Sequence, residues 1–391
     1  MSELDKKLIC KHFGVCGGCD TLGIPYREYL EIKQKDAEKK FNGLVVESFS
    51  EIVPSDSIEY YRNKMEFVVG YNNGEVVIGL REKGKFYKIV DLEECKIFYP
   101  GIKNIFEVLK NWIKEHKIQP YNLFTHKGEI RYVACKHSKT HNEIMLNIVI
   151  TGSKYQFEYI QRKIFEKLIS QLSEIKEIVS AYVSINNKLS DNAYSDEIFR
   201  IYGKDFIVED INDIKYKIFP LTFFQTNTLC CKKLYGIVKE KFGGDNVIDV
   251  YCGCGGISLQ LASKAQKVIG VDLLKENIVS ASENALLNKI TNTEFVCDNA
   301  ENFLVKLSKS KFATELSTIV IDPPRAGITK RVRNALLESG VENIIYVSCN
   351  IETLVEDLKI FTKFYKIKEV IPVDMFPFTK HLELITVLKH K

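Results

Sequence analysis

Residues 344–350 read Ile-Ile-Tyr-Val-Ser-Cys-Asn: an apolar, β-rich run stops at a small residue, a thiol and an amide. In an open α/β sheet, strand ends of this kind present catalytic groups to a crevice. A thiolate is a strong nucleophile where its surroundings lower its pKa. Cys349 is therefore the leading candidate for chemistry, although a lone strand-end cysteine is more often a packed core thiol. Other features of the chain decide between the two.

A ligand-binding turn lies upstream. Asn246-Val-Ile-Asp-Val-Tyr-Cys-Gly-Cys-Gly-Gly-Ile-Ser-Leu reads as a strand, a turn through Gly253, Gly255 and Gly256, and a helix start. Glycines allow the tight turn and the close approach of backbone to a ligand. The next strand, Gln266-Lys-Val-Ile-Gly-Val-Asp272, supplies the acidic residue that normally holds a nucleotide ribose. The third glycine of the dinucleotide fingerprint is missing. Asp249, four residues before the first glycine, instead fits an S-adenosylmethionine site, which binds no pyrophosphate. A plain strand–helix connection is the bland alternative, and Asp272 weighs against it. Further on, Ser317-Thr-Ile-Val-Ile-Asp-Pro-Pro-Arg325 ends another buried strand in a rigid exit, because two prolines cannot continue a ladder. Such an exit can hold a planar base.

The N-terminal third carries a second signature. Cys10, Cys16 and Cys19 follow a five-then-two spacing, and Cys95 stands after a hairpin-rich stretch. Four thiolates from two chain segments suit iron–sulfur or zinc ligation, and the spacing leaves the metal open. Radical S-adenosylmethionine chemistry needs three cysteines spaced three then two, which these are not. A disulfide framework does not follow from eleven cysteines, an odd count, without a secretory signal. Unliganded thiols are the remaining alternative. Cys252 and Cys254 fit inside the glycine turn, and Cys135, Cys230, Cys231 and Cys297 read as core packing.

Five motifs occur in order: Phe223-Phe-Gln-Thr-Asn227, Asp249-Val-Tyr-Cys-Gly, Asp322-Pro-Pro-Arg-Ala-Gly, Tyr346-Val-Ser-Cys-Asn350 and Asp374-Met-Phe-Pro-Phe-Thr-Lys-His-Leu-Glu383. Together they resemble the successive motifs of the RNA uracil-5-methyltransferase family, closely over 221–391 and more loosely to the N-terminus. The resemblance implies that Gln225, Tyr251, Gly256, Asp272, Asn299 and Asp322 line the cofactor and base site. Gly256 would contribute backbone only, and Phe223 matches an aromatic that can stack on the target base. Asp272 stands where family members usually have Glu. The implied chemistry needs two further groups. Carbon 5 of uracil is too weak a nucleophile until a thiolate adds to carbon 6, and a base must later remove the carbon 5 proton. Cys349 suits the first role and Glu383 the second. Without the other motifs, Glu383 would read as an edge-strand charge. A subset of the family has the same cysteine pattern, which implies a 4Fe-4S cluster on Cys10, Cys16, Cys19 and Cys95. The family often carries a small RNA-binding barrel ahead of these cysteines. Only nine residues precede Cys10, so that module is expected to be absent. This resembles the ribosomal-RNA branch, making 23S rRNA the favoured substrate and tRNA the alternative. Two readings from other classes are an amino-group methyltransferase acting on protein or DNA, and a non-catalytic, cluster-bearing RNA-binding protein.

The elements that must position these groups follow from the pattern. A chain of 391 residues suggests two domains. Residues 1–220 read as an α+β domain carrying the cysteine-ligated cluster and an RNA-binding surface. Residues 221–391 read as a Rossmann-like, doubly wound methyltransferase sheet. Segment 24–41 is an amphipathic helix stopped by Asn42-Gly43, and it can pack on the catalytic domain despite its position. Helices are also expected at 103–117 and 154–173. Asn73-Gly74, Lys83-Gly84 and the stretch around Ser138-Lys-Thr-His mark hairpins. The segment from Leu382 to Lys389 is the extra strand next to the sheet edge, antiparallel by the resemblance. Net charge is only +4, so RNA must be held by local patches. Tyr60-Tyr-Arg-Asn-Lys64 and Arg81-Glu-Lys-Gly-Lys85 are candidates, each also readable as a solvated hairpin. No apolar run approaches 18 residues and no signal peptide is visible, so a cytoplasmic monomer is expected.

Overall fold

The computed structural model describes residues 3–154, 157, 162–195, 197–307 and 311–391. Helix α1 (Tyr26–Lys40) is followed by β1 (Lys64–Asn72), β2 (Glu75–Glu82), β3 (Lys85–Asp91) and α2 (Ile102–Glu115). Then come β4 (Ile130–His137), β5 (Ile144–Ile150), α3 (Arg162–Leu172), β6 (Ile178–Ile185) and β7 (Glu197–Gly203). These strands form one seven-stranded sheet in the order β3-β2-β1-β4-β5-β6-β7. The turns at Asn73-Gly74 and Lys83-Gly84 close antiparallel pairs, with both glycines at positive φ. The Ser138 region likewise joins antiparallel β4 and β5. The first part of the helix expected at 154–173 falls mostly outside the described residues.

A short ribbon of β8 (Ile207–Ile211) and β9 (Ile214–Ile218) leads to α4 (Thr228–Lys241). After it come β10 (Asn246–Val250), α5 (Gly256–Leu261), β11 (Lys267–Asp272), α6 (Lys275–Leu287) and β12 (Thr293–Cys297). The chain then continues through α7 (Ala300–Leu307), β13 (Thr318–Ile321), α8 (Lys330–Ser339), β14 (Asn343–Ser348), α9 (Ile351–Phe361), β15 (Tyr365–Val373) and β16 (Glu383–His390). The second sheet runs β12-β11-β10-β13-β14-β16-β15. Strands β10 to β14 pair in parallel, and helices cover them, so β13 and most of β10 and β14 are buried. The chain first moves outward through β11 and β12, then returns to the other side of β10 at β13. That reversal opens the crevice where ligands of such sheets bind.

β16 is antiparallel and lies one strand in from the edge, between β14 and β15. The outer edge of β15 is not bare. Residues 46–53 run parallel along it, with Glu47, Ser50 and Val53 amides donating to Ile367, Val370 and Pro372 carbonyls at 3.0, 2.9 and 2.8 Å. This N-terminal segment blunts an edge that would otherwise present unpaired backbone. One expectation is corrected here. Cys297 is exposed rather than core, because β12 is the opposite edge strand.

Helix α1 buries the stripe Tyr26, Tyr29, Leu30, Lys33 and Ala37, a 3.6-residue repeat with a lysine inside it. Lys33 Nζ donates to Asp374 Oδ1 at 2.6 Å and to the carbonyls of Phe376 and His381 at 3.1 and 2.6 Å. Tyr26 Oη donates to the other Asp374 oxygen at 2.7 Å. The buried turn residue Phe378 stacks on Tyr29, with ring centroids 5.5 Å apart. One helix near the N-terminus therefore gathers the loop that leads into Glu383.

Burial lowers the pKa of Lys33, and the Asp374 carboxylate opposes that shift. Removing one partner of a buried pair leaves the other charge uncompensated, at a cost of about 3–5 kcal/mol. Lys33→Met should therefore lower urea stability by about that much. Lys40→Met, which breaks the exposed pair with Glu352, should cost under about 1 kcal/mol. Equal midpoint losses for the two variants would contradict this account.

Candidate active site

The crevice is built from strand ends. β10 finishes in Asp249-Val250, and the chain turns through Tyr251, Gly253 and Gly255, all at positive φ, before α5 begins at Gly256. A Cβ on Gly256 would come within 2.2 Å of the Tyr235 hydroxyl, so this position offers only backbone. Phe223, Phe224, Gln225, Tyr251, Gly256 and Asp322 are among the residues that line one cleft together with Asp249. Gln225 Nε2 donates to Asp322 Oδ2 at 3.3 Å, which joins the Phe223-Phe-Gln segment to the end of β13. Asn63 of the N-terminal half secures that segment by donating to the Gln225 carbonyl at 2.7 Å.

Asp249 is buried, and burial raises its pKa to about 7. Its Oδ2 accepts from Ser258 at 2.6 Å, while Oδ1 has no partner among the described residues. Asp322, half-buried, is pushed well above the carboxylate range by burial and by neighbouring carboxylates. A cleft with an orphaned acceptor and two destabilised carboxylates fits a cationic ligand. S-adenosylmethionine, with its ammonium and sulfonium centres, meets that requirement.

The other two expected cofactor residues, Asp272 and Asn299, are not among the residues that line this cleft. Asp272, at the end of β11, accepts from the Gly253 amide at 3.0 Å and so fixes the turn. Its second oxygen accepts from Leu274 N and Asn277 Nδ2 at 2.9 and 3.1 Å. That oxygen already takes two donors, so the spare lone pair for a ribose hydroxyl is on Oδ2. Asn299 is exposed at the neighbouring strand end, with its Oδ1 accepting from the Glu301 amide.

Cys349 and Glu383 come together through register. Ser348 of β14 pairs with Leu384 of β16, and the strands run in opposite directions, so the next residue of one adjoins the previous residue of the other. Cys349 is half-buried and Glu383 is 4% exposed. Burial raises Glu383 to about 7, with Arg325 opposing the shift. Cys349 is pushed up to about 11 by burial and by the Glu383 and Asp322 carboxylates, again opposed by Arg325. This is the opposite of the depressed pKa that activates a thiol.

Sequence reasoning assigned no role to Arg325 or Lys33. Asn350 Nδ2 donates to the Arg325 carbonyl at 3.0 Å and ties the Asp322-Pro-Pro-Arg loop to Cys349. A lysine on the apolar stripe of α1 was the signal for Lys33. Of the two basic patches, Arg81-Glu-Lys-Gly-Lys85 forms the β2–β3 turn, where Arg81 pairs with Asp191 at 3.0 Å and Lys85 with Glu82 at 2.5 Å. Tyr61 of the other patch is buried and donates to the Pro377 carbonyl at 3.0 Å, so it serves the Glu383 loop.

Cys10, Cys16, Cys19 and Cys95 line one cavity near the β2–β3 turn. Burial and neighbouring thiols push Cys19 up to about 12, and burial pushes Cys95 to about 11. The donor set suits a four-thiolate centre. Among the described residues, however, no three His, Cys, Asp or Glu side chains are grouped closely enough to hold an ion. The loop carrying Cys16 and Cys19 bonds to both neighbours of the site. The Gly17 amide donates to the Arg81 carbonyl at 3.1 Å, and the Asp20 amide to the Phe378 carbonyl at 2.9 Å.

Comparison with known proteins agrees with this geometry. Residues 25–391 match the family described as tRNA (uracil-5-)-methyltransferase. The chain is 35% identical over 390 residues to a protein of Clostridium tetani named only as an uncharacterized RNA methyltransferase, covering 98% of this chain and 84% of that one. It is 35% identical over 380 residues to the tRNA (uracil(54)-C(5))-methyltransferase of Pyrococcus furiosus, covering 97% and 84%. The crystal structure of Pyrococcus abyssi tRNA (uracil-54, C5)-methyltransferase with S-adenosyl-L-homocysteine superposes with a TM-score of 0.77 at 31% identity. That match covers 95% of this chain and 84% of the other.

The charge balance around Cys349 can be tested without substrate. Alkylation of Cys349 by iodoacetamide, followed by peptide mass spectrometry, should rise with pH toward a midpoint near 11. Glu383→Gln removes a negative neighbour that disfavours the thiolate, so its midpoint should move down and alkylation at pH 9 should quicken. An unchanged or higher midpoint would show that the two groups do not sense each other.

Proposed function

The chain belongs to the tRNA (uracil-5-)-methyltransferase family, and on that premise we propose how its residues divide the reaction and which RNA it serves. The activity is S-adenosylmethionine-dependent methylation of uridine carbon 5 in RNA, which displaces the amino-group and purely binding readings. The juxtaposition of Cys349 and Glu383 by the β14/β16 register carries the mechanistic reading.

Cys349 gives up its proton to a carboxylate of the site, and its sulfur adds to carbon 6 of uracil. The ring becomes enolate-like and carbon 5 becomes nucleophilic. S-adenosylmethionine, when bound, supplies the methyl group as an electrophilic sulfonium. Glu383, with a pKa of about 7, then accepts the carbon 5 proton, and the electron pair released re-forms the 5,6 double bond as the sulfur leaves. Gln225, Tyr251, Gly256, Asp272, Asn299 and Asp322 hold cofactor and base. Phe223, 60% exposed at the cleft mouth, stacks on the extruded uracil.

For the substrate, the relatives with named targets favour tRNA: both Pyrococcus proteins are named for uridine 54 of tRNA. The 23S rRNA expected from the cysteine pattern is the second reading. Either RNA would place the enzyme in the cytoplasm, and one chain holds a full set of site residues, consistent with a monomer. Residues 1–220 act as the RNA-facing and cysteine-bearing unit, and 221–391 as the methyltransferase domain. Cys10, Cys16, Cys19 and Cys95 would hold a 4Fe-4S cluster that orders the loop beside Phe378. No helix of the described residues is long and apolar enough to cross a membrane.

Incubation with methyl-labelled S-adenosylmethionine and RNA lacking 5-methyluridine should label carbon 5 of uridine, chiefly in the tRNA fraction. Label confined to 23S rRNA would reverse the substrate order. Glu383→Gln should trap a labelled protein–RNA adduct on a denaturing gel, and Cys349→Ala should give none and lose turnover. Near-normal turnover by Cys349→Ala would remove the covalent mechanism.

Protein purified without oxygen from iron-replete cells should be brown, with about four irons per chain. Stoichiometric zinc without iron would overturn the cluster assignment.

A further inference from the structure

A second cavity lies directly behind the segment that carries the target-base site. Its floor comes from three adjacent strands in register: Lys64 pairs with Lys136 and Lys136 with Met145, while Glu66 pairs with Ala134 and Ala134 with Asn147. Directly paired residues project to the same face of a sheet, so these six side chains make two parallel rows. They line a cavity of about 190 Å³ whose walls are the loop Asn192-Ala193-Tyr194 and the segment Pro220-Leu221.

The lining is unlike a packing defect. Asn147 is only 6% exposed, yet its side-chain oxygen has no hydrogen-bond partner among the described residues. A buried acceptor left unpaired is costly unless a ligand or water completes it. Tyr194 is 54% exposed, with the Lys188 ammonium 5.0 Å from its ring centroid, and so offers an aromatic surface at the rim. Lys64, paired with Glu66 at 2.8 Å, adds a cation that remains 39% exposed. An amide edge, an exposed ring and a cation are the set that recognises an unstacked nucleobase.

Position supplies the second argument. Lys136 Nζ donates to the carbonyls of Phe219 and Thr222 at 2.7 and 2.8 Å, fixing the segment between them. Pro220 and Leu221 face the second cavity, whereas Phe223, Phe224 and Gln225 line the catalytic cleft. Only Thr222 separates the two linings. Turning one base out of a stack leaves its neighbour in the strand without a stacking partner, and a pocket one step away can take that neighbour.

We propose that this cavity binds the base of a nucleotide adjacent to the target uridine in the substrate RNA, and so contributes to sequence selection. The inference rests on the uracil-5 reading only for where the target base lies.

The test uses the full chain with p-azidophenylalanine in place of Tyr194, and tRNA and rRNA lacking 5-methyluridine as probes. After photolysis, the cross-linked nucleotide should lie within two positions of the uridine that becomes methylated. Separately, Tyr194→Ala should raise KM for RNA about tenfold, as loss of one stacked base does, with S-adenosylmethionine affinity unaltered. Asn147→Leu should relax the preference for the neighbouring nucleotide when each of the four bases is placed there. Because Asn147 is buried and its variant can misfold, the exposed Tyr194 keeps the test decisive. Methylated uridine with cross-links elsewhere, or an unaltered KM in Tyr194→Ala, would overturn the pocket. RNA methylated at no uridine carbon 5 would instead overturn the uracil-5 reading.

Discussion

The antiparallel insertion of β16 between β14 and β15 is the constraint on which the site depends. Five parallel strands end on one side of the sheet, and Cys349 follows the last of them. A sixth parallel strand would begin at the opposite side and carry its first residue away from the crevice. Running antiparallel, β16 begins where β14 ends, and the Ser348–Leu384 pairing sets Glu383 beside Cys349. A one-residue slip would turn the side chains of β16 to the other face. Burial of Ile385 and Leu388 in different cores on the two faces of β16 works against any such slip.

A buried carboxylate at that position must be held by something other than its own strand. The loop 374–381 is gripped by residues from the other end of the chain: Lys33 and Tyr26 on Asp374, Tyr61 on Pro377, and Asp20 on Phe378 and Lys380. Most of these contacts are shielded from water, so their geometry is well defined and their loss is costly. The N-terminal half thereby supports the loop that leads into Glu383. The loop carrying Cys16 and Cys19 touches the same turn through the Asp20 amide and the Phe378 carbonyl.

Burial sets the electrostatic character of the crevice. Asp249, Asp322 and Glu383 are all shifted upward, chiefly by burial, with Arg325 as the opposing cation near Cys349 and Glu383. An acidic, poorly solvated cleft favours a cationic methyl donor over its neutral product, in which the sulfur has lost its charge. Burial, together with the Glu383 and Asp322 carboxylates, holds the Cys349 thiol above its ordinary range.

Much of this was legible in the residues. The Asp249 strand, the glycine turn and the Asp-Pro-Pro exit have local causes, namely β-branched runs, positive-φ glycines and proline geometry, so they could be read directly. The hairpins at Asn73-Gly74 and Lys83-Gly84 and the stripe of α1 are local in the same sense. The chain order of the motifs identified the chemistry. What local pattern could not supply was anything that depends on residues far apart in sequence. The pairing of residues 46–53 with β15, the burial of Lys33 against Asp374, the exposure of Cys297 on an edge and the upward shift of Cys349 all belong to this class. Each is set by which surfaces end up in contact and how much water they exclude, and those are properties of the packed chain. The sequence determined which groups could react; the tertiary structure decided which of them meet, and in what charge state.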